Sequence, residues 1–330
     1  LRNMSAITKL VSDTKQANKT FYRTERLEAQ TGNDSMKFNY NGISQFSSIR
    51  NTASSSTLDR LGFKSEGTNL NLRYQNNTII ADSLFGIKYN LSNFDLNKYG
   101  FNHVTSEKTM GLYQNNNASQ LAILTDGIYK NIDFTVNTLD NQTSLLNALS
   151  GLNLTYFKRA PSQLFDQDAK SLNQRVAKNV SNSNKDFVTI TYRVIAPPHS
   201  QLYVSIPNIS WSDDNNHSLS ITVNGVTKNQ VTDNTFDFFD LGYFETESMV
   251  TIKLSFPGNK AISFDNPSFY ALDTQNYQIA MDTINERDSK VTTSNNKVFV
   301  DYSSKTNASL FFTIPYDKGW TATINHKKVK

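Results

Sequence analysis

Phe187-Val-Thr-Ile-Thr-Tyr-Arg-Val194 alternates residue by residue. Its period of two places Phe187, Thr189, Thr191 and Arg193 on one face of an extended chain. This pattern is typical of a β-strand that has one face against a core and the other against solvent. The stretch therefore predicts that the second half of the chain is built from antiparallel strands.

Further strands follow this one at short intervals. They are predicted over 201–206, 219–223, 235–241 and 250–256, and later over 297–302 and 309–314. Asn224-Gly225 is a hairpin signal, because both residue types accept the positive φ of a tight turn. The single helix predicted in this region covers 270–286. We therefore predict a mainly antiparallel β-sandwich, jelly-roll-like, over residues 186–330.

The first half of the chain has a different pattern, in which helices alternate with strands. Helices are predicted over 4–18, 51–61, 76–84 and 141–149, and strands over 21–28, 86–92 and 121–124. Such alternation favours an α/β layer. We assign this layer to an N-terminal domain, residues 1–158. Residues 159–185 form a polar junction with a possible helix over 164–179, so the fold class is mixed, α+β.

Composition limits the functional classes. The net charge of +4 is small and scattered, whereas nucleic-acid binding requires a concentrated basic face. The absence of cysteine excludes disulfides and thiolate metal sites, and favours the outer surface of a Gram-positive bacterium. No apolar run approaches the roughly 20 residues of a membrane-spanning helix.

Known catalytic and metal-binding patterns are absent from the sequence. The four histidines are dispersed, and there is no Gly-rich phosphate loop or nucleophile elbow. Asp233, Asp237 and Asp240 could surround Ca²⁺, but their place in an aromatic-rich strand favours solvent-facing side chains. We predict no metal, no cofactor and no catalytic residue within this chain.

Mixtures of aromatic and polar residues are the best candidates for ligand binding. Sugars stack their C–H faces on aromatic rings and hydrogen-bond to amides and charged groups, and Arg and Lys also suit phosphate. The candidates are Tyr22, Arg23, Glu25, Asn39, Tyr40, Gln45, Lys88, Tyr89 and Trp320. In the alternative interpretation the three tyrosines fill the α/β core, Arg23 pairs with Glu25, and Trp320 packs over the end of the sandwich.

Five segments, in this order, resemble the extracytoplasmic domain of the YfhO-type family of bacterial integral membrane proteins. They are Phe21-Tyr-Arg23, Asn39-Tyr40 with Gln45-Phe-Ser-Ser-Ile49, Asp82-Ser-Leu-Phe-Gly-Ile-Lys-Tyr89, Leu112-Tyr-Gln-Asn115 and Ile314-Pro-Tyr-Asp-Lys-Gly-Trp320. The resemblance implies a protein with many membrane spans, related to glycosyltransferases that use polyprenyl-phosphate sugars. Some members are implicated in glycosylating teichoic acids. The catalytic carboxylates of such enzymes lie near the first membrane segments, so none is assigned here.

We expect this chain to be a piece of a longer protein, because it begins without Met and nothing follows Lys330 to pair with an open side of its last hairpin strand, 321–324. The expected location is the extracellular face of the cell membrane, with attachment through parts outside this chain. The expected partner is a cell-envelope glycopolymer or a lipid-linked sugar. The alternative is a non-catalytic carbohydrate-binding or structural module of the cell surface.

Overall fold

The computed structural model describes the chain in ten segments: residues 3–47, 52–65, 71–74, 77–167, 171–172, 175–176, 187–211, 217–232, 238–257 and 262–329. Within them the protein is a mixed α and β structure whose sheets are mostly antiparallel. The predicted fold class is confirmed at this level. The residues outside the described segments include Asn51, Ser48-Ile49 of the second resemblance segment, Asp233 and Asp237.

Six α-helices are described, together with a 3-10 helix at Ile128–Asn131. The α-helices are α1 Met4–Ala17, α2 Asp34–Phe38, α3 Thr52–Arg60, α4 Ile79–Leu84, α5 Thr138–Ser150 and α6 Thr274–Asn285. Those predicted near 4–18, 51–61, 76–84 and 141–149 are confirmed, each with a shift of a few residues at its ends.

The strands of the first half are short. They are β1 Arg23–Arg26, β2 Gln45–Phe46, β3 Lys64–Ser65, β4 Asn71–Arg73, β5 Ile87–Ser92, β6 Phe101–Glu107, β7 Met110–Asn115 and β8 Ala122–Thr125. Four of them form a sheet in the order β1-β5-β7-β6. Only the β1–β5 pair in this sheet is parallel, and α1 lies close to β6 and β7.

The second half is richer in strands. They are β9 Phe157–Arg159, β10 Ser162–Gln167, β11 Ser171–Leu172, β12 Arg175–Val176, β13 Phe187–Ala196, β14 Ser200–Ser205, β15 Ser210–Trp211, β16 His217–Val223, β17 Val226–Thr232, β18 Phe238–Phe244, β19 Ser248–Pro257, β20 Ile262–Ser263, β21 Ser268–Asp273, β22 Ser289–Ser294, β23 Lys297–Tyr302, β24 Ser309–Phe312, β25 Ala322–Ile324 and β26 Lys327–Val329. The predicted β-rich half is confirmed.

Two open antiparallel sheets dominate this half. One has the order β10-β13-β19-β16-β17 and the other the order β18-β14-β21-β9. The alternation in β13 sets its burial, because Val188, Ile190 and Val194 are buried while Phe187 and Arg193 are exposed. Since both sheets are open, the finer prediction of a jelly-roll is not confirmed.

The helix predicted over 164–179 is wrong for the described residues. Ser162–Gln167 is a strand that pairs antiparallel with β13, from Ser162 opposite Val194 to Gln167 opposite Ile190. This pairing satisfies backbone groups of the segment that a helix would otherwise satisfy internally. In the same way, the helix predicted from 270 begins only at Thr274, because Ser268–Asp273 is a strand paired with β14.

The largest hydrophobic cluster contains residues from both halves of the chain. Leu84 and Phe85 from the first half belong to it together with Tyr203, Phe269 and Tyr277 from the second. A smaller cluster lies under α1 and includes Ile7, Leu10 and Leu91. The division into domains that end at 158 and begin at 186 therefore stays a prediction. The buried apolar side chains of the two predicted domains form one cluster.

Among the helices in the described segments, none combines the length and the apolar character that crossing a membrane requires.

Candidate functional site

Three of the predicted ligand-binding residues meet beside α1. The rings of Tyr22 and Tyr89 lie edge to face with centroids 5.5 Å apart. Tyr22 Oη donates to Thr14 Oγ1 at 2.9 Å, and Asn18 Nδ2 donates to Tyr89 Oη at 2.9 Å. Lys88 Nζ donates to the Oδ1 of the same Asn18 at 2.5 Å. These side chains therefore tie the end of α1 to strand β5.

The three predicted tyrosines contribute to the core under α1. Tyr40 and Tyr89 are buried members of that cluster, and Tyr22 packs against it half-buried. Burial raises the pKa of Tyr40 well above its usual range, and carboxylates nearby add to the effect. The three rings therefore serve packing, and Tyr40 stays a neutral phenol.

Arg23 is buried and points toward a distant part of the chain. Its Nη1 donates to Phe85 O at 2.8 Å and to Thr313 Oγ1 at 3.0 Å, and its Nη2 donates to Thr313 O at 2.6 Å. Burial lowers the pKa of Arg23 to about 10, and the nearby Glu25 opposes this change. The hydrogen bonds of Arg23 thus differ from the local pairing with Glu25 that the alternative interpretation expected.

Glu25 is fully buried beneath the loop that follows α2. Its carboxylate accepts hydrogen bonds from Ile43 N, from Ser44 N at 2.9 Å and from Ser44 Oγ at 3.1 Å. Burial raises the pKa of Glu25 to about 7, although these hydrogen bonds favour the charged form. The side chain fastens this loop and is closed off from solvent.

The remaining predicted residues are exposed and lie in separate elements. Asn39 has φ 58° and ends α2 in the left-handed conformation, and Gln45 lies on β2 with an exposed side chain. Trp320 is 46% exposed and its N–H donates to Asp317 O at 3.1 Å in the closing turn. None of the nine predicted residues lines the cleft that the structure reveals elsewhere.

That cleft has a volume of about 550 Å³ and lies where the two halves of the chain meet. One side is the loop and strand start at 96–102 with 116–117, and the other side is Tyr243 on β18 and Gln278 on α6. Binding sites are often found where two structural units meet and a few polar groups converge. We take this cleft as the candidate functional site.

Reciprocal hydrogen bonds join the two sides. Tyr243 N donates to Asn97 O at 3.2 Å, and Asn97 Nδ2 donates to Tyr243 O at 3.1 Å. Tyr99 N donates to Gln201 Oε1 at 2.9 Å, which ties the same loop to β14. The two sides of the cleft are therefore joined by bonds between residues more than a hundred positions apart.

The inner wall is a network of amides. Gln278 Nε2 donates to Asn117 Oδ1 at 2.8 Å, and its Oε1 accepts from Asn117 Nδ2 and Tyr99 Oη, each at 3.1 Å. The rings of Tyr99 and Tyr243 lie 5.2 Å apart and are half-buried. Within the described residues, the exposed side chains of Asn102 and Asn116 make no hydrogen bond. They are free to bind a ligand.

A buried ion pair supports the cleft from below. Lys98 Nζ lies 2.5 Å from Asp82 Oδ2 and donates to Tyr74 Oη and Asn90 Oδ1, each at 3.0 Å. Burial raises the pKa of Asp82 to about 6, and Lys98 opposes that rise. Lys98 is thus fixed beneath the cleft, and its ammonium group is occupied by protein partners.

Sequence reasoning missed this site. The run Asn115-Asn-Asn117 directly follows Leu112-Tyr-Gln and is a visible sign of a polar surface. The approach of Tyr243 and Gln278 to it depends on long-range packing, which no local pattern reveals.

The protein-family model described as "Bacterial membrane protein YfhO" matches residues 1–330. This chain belongs to the YfhO family. The resemblance of the five ordered segments is thereby confirmed, and the protein is a member of a membrane protein family.

Comparison with solved structures shows only weak similarity to the YfhO-family chain. A family two carbohydrate esterase from Cellvibrio japonicus gives a TM-score of 0.20 at 12% identity, covering 34% of this chain and 33% of that one. The acetyl xylan esterase Est2A from Butyrivibrio proteoclasticus gives 0.21 at 10% identity, covering 35% and 32%. The chain thus spans about a third of each, and scores this low support no functional argument. No curated protein matches the chain.

Proposed function

We propose that this chain is the extracytoplasmic part of a multi-spanning membrane protein related to polyprenyl-phosphate-sugar-dependent glycosyltransferases. Its role is to hold a cell-envelope glycopolymer, such as teichoic acid of a Gram-positive bacterium, at the extracellular face of the membrane. Transfer of the sugar belongs to membrane parts outside this chain. The chain itself contributes binding and orientation of the acceptor, which raises the effective concentration of the reacting groups.

The cleft is the observation that carries this proposal. Two half-exposed tyrosine rings, Tyr99 and Tyr243, lie beside the free carboxamides of Asn102 and Asn116. The face of an aromatic ring is an uncharged apolar surface on which a sugar ring can stack. Carboxamides supply both hydrogen-bond donors and acceptors to hydroxyl groups. This combination suits a sugar. Membership of a membrane protein family supports the proposed location.

The test uses the full-length protein in cells. Tyr243→Ala removes a ring of the cleft and Gln278→Ala removes the centre of its amide network. At normal protein levels, each is expected to lower the sugar content of purified teichoic acid about tenfold, equivalent to about 1.4 kcal/mol of acceptor binding.

Gln275→Ala is the matched control, because Gln275 is an exposed residue of the same helix that does not line the cleft. Its glycosylation level is expected to equal that of the wild type. Unchanged sugar content in both cleft variants would contradict the proposal.

A non-catalytic carbohydrate-binding module is the second candidate, and the same cleft supports it. In that case the cleft variants lose glycan binding while glycosylation in cells stays normal. The exposed residues Asn39, Gln45 and Trp320 remain proposed additional contacts in either case. Replacing Gln45 with Ala tests one of them without disturbing a buried side chain.

A further inference from the structure

We infer that the cleft accepts an uncharged sugar residue of the glycopolymer and excludes the phosphate groups that link such polymers. This inference rests on the proposed function, since it specifies that the cleft holds the acceptor polymer through sugar residues that the polymer already carries. It departs from the expectation that Arg and Lys side chains would contact phosphate.

Charge within the cleft is the first argument. Among the lining residues, all of which the structure describes, Lys98 is the only basic one. Its ammonium group is buried, lies 2.5 Å from Asp82 and donates to Tyr74 and Asn90. Phosphate recognition in proteins relies on Arg, Lys or helix N-termini that face the ligand. No lining side chain offers such a cation to a ligand.

Two carboxylates near the cleft strengthen this argument. Asp282 is exposed and accepts from Gln278 Nε2 at 2.7 Å, so it stands at the edge of the amide wall. Asp240, half-buried, accepts from Gln201 Nε2 at 2.9 and 3.1 Å. An approaching phosphate would meet the exposed carboxylate of Asp282 at the edge of the cleft, and like charges at short range repel.

The neutral groups of the cleft are matched to hydroxyls. Asn102 and Asn116 present carboxamides that both donate and accept, as a hydroxyl requires. Tyr99 stays a neutral phenol because burial raises its pKa. Its hydroxyl already donates a hydrogen bond to Gln278 Oε1 at 3.1 Å, so the face of the ring is what Tyr99 offers to a ligand. The site therefore recognises a sugar by the shape of its ring and the positions of its hydroxyl groups.

The experiment titrates the chain with three probes by calorimetry. They are a neutral disaccharide of N-acetylhexosamine, a glycerol-phosphate oligomer without sugar, and the same oligomer carrying the sugar. We expect the first and third to bind with affinities that change less than about twofold between low and high salt. The sugar-free oligomer is expected not to bind. Tyr243→Ala should weaken binding at least about tenfold, and Gln275→Ala should leave it unchanged.

The outcomes separate the two proposals. Salt-sensitive binding of the sugar-free oligomer overturns the inference and leaves the proposed function standing. Binding of the disaccharide that survives Tyr243→Ala in a variant shown to be folded by circular dichroism overturns the assignment to this cleft. If none of the three probes binds to the chain or to the full-length protein, the proposed function is overturned.

Discussion

Glu25 is a carboxylic acid enclosed by protein, with a pKa raised to about 7 by its burial. In the unfolded chain the same group titrates near the ordinary glutamate pKa of 4.5. Between these two values the folded state holds a proton that the unfolded state has released. Stability therefore falls as the pH rises through this window.

Glu25 contributes roughly 3 kcal/mol to the free energy of unfolding at low pH. This contribution is fully present below about pH 4.5 and is lost once the pH has risen past about 7. Glu25→Gln keeps an oxygen that accepts from Ile43 N and Ser44 N, but it cannot ionise. The variant is expected to lose most of the decline in unfolding free energy between about pH 4.5 and 7, measured by urea denaturation.

The control lies three residues along the chain. Glu28→Gln changes an acid that is half-buried and accepts from Ser92 Oγ at 3.1 Å and Asn93 N at 3.0 Å. It should retain the pH slope of the wild type. An equally steep slope in Glu25→Gln would show that Glu25 is not the group responsible. Asp82, with its pKa raised to about 6, adds a decline of the same sign at lower pH.

Helix α6 is the element that carries Gln278 into the cleft. Its N-cap is Asp273, whose Oδ1 accepts from Gln275 N and Asn276 N, each at 3.0 Å. The carboxylate also lies at the positive end of the helix dipole. Because the cap satisfies backbone donors that the helix leaves unpaired, it fixes where the helix begins.

Asp273→Ala is expected to lower the free energy of unfolding by about 1 kcal/mol, the usual cost of losing an N-cap. Asp273→Asn keeps an accepting oxygen and should cost only a few tenths of that amount. Chemical denaturation of both variants measures the difference. Equal losses in the two variants would show that charge, and not the cap hydrogen bond, is what stabilises this end of α6.

Individual elements differ in how far their sequence predicts them. The Asn224-Gly225 turn has φ values of 47° and 88° and joins β16 to β17, as its residue types indicate. The sequence predicts a helix over most of strand β10, because Leu164 and Phe165 fit either spacing. Pairing with β13 settles its conformation, and that pairing depends on residues more than twenty positions away.

Across the whole molecule, one hydrophobic cluster joins the two predicted domains. Tyr277 Oη and Ser83 Oγ lie 2.5 Å apart inside it, and Ile79 N donates to Tyr203 Oη at 3.1 Å. Separating the halves would expose this apolar surface and leave buried polar groups without partners.

We therefore predict that the chain unfolds in one cooperative transition. Scanning calorimetry should give a van't Hoff enthalpy equal to the calorimetric enthalpy, within error. Two resolved transitions, or a stable fragment ending near residue 158 after limited proteolysis, would contradict the prediction and support independent domains.

Most of the described helices, the β-rich second half, the Asn224-Gly225 hairpin and the family resemblance could be read from the amino-acid sequence. Each depends on neighbours a few positions apart, and short-range backbone preferences act over that distance. The tertiary structure alone brought Asn97 to Tyr243, Asn117 to Gln278 and Arg23 to Thr313. These contacts form because sheets and helices pack around a shared core, and that packing is a property of the folded chain as a whole.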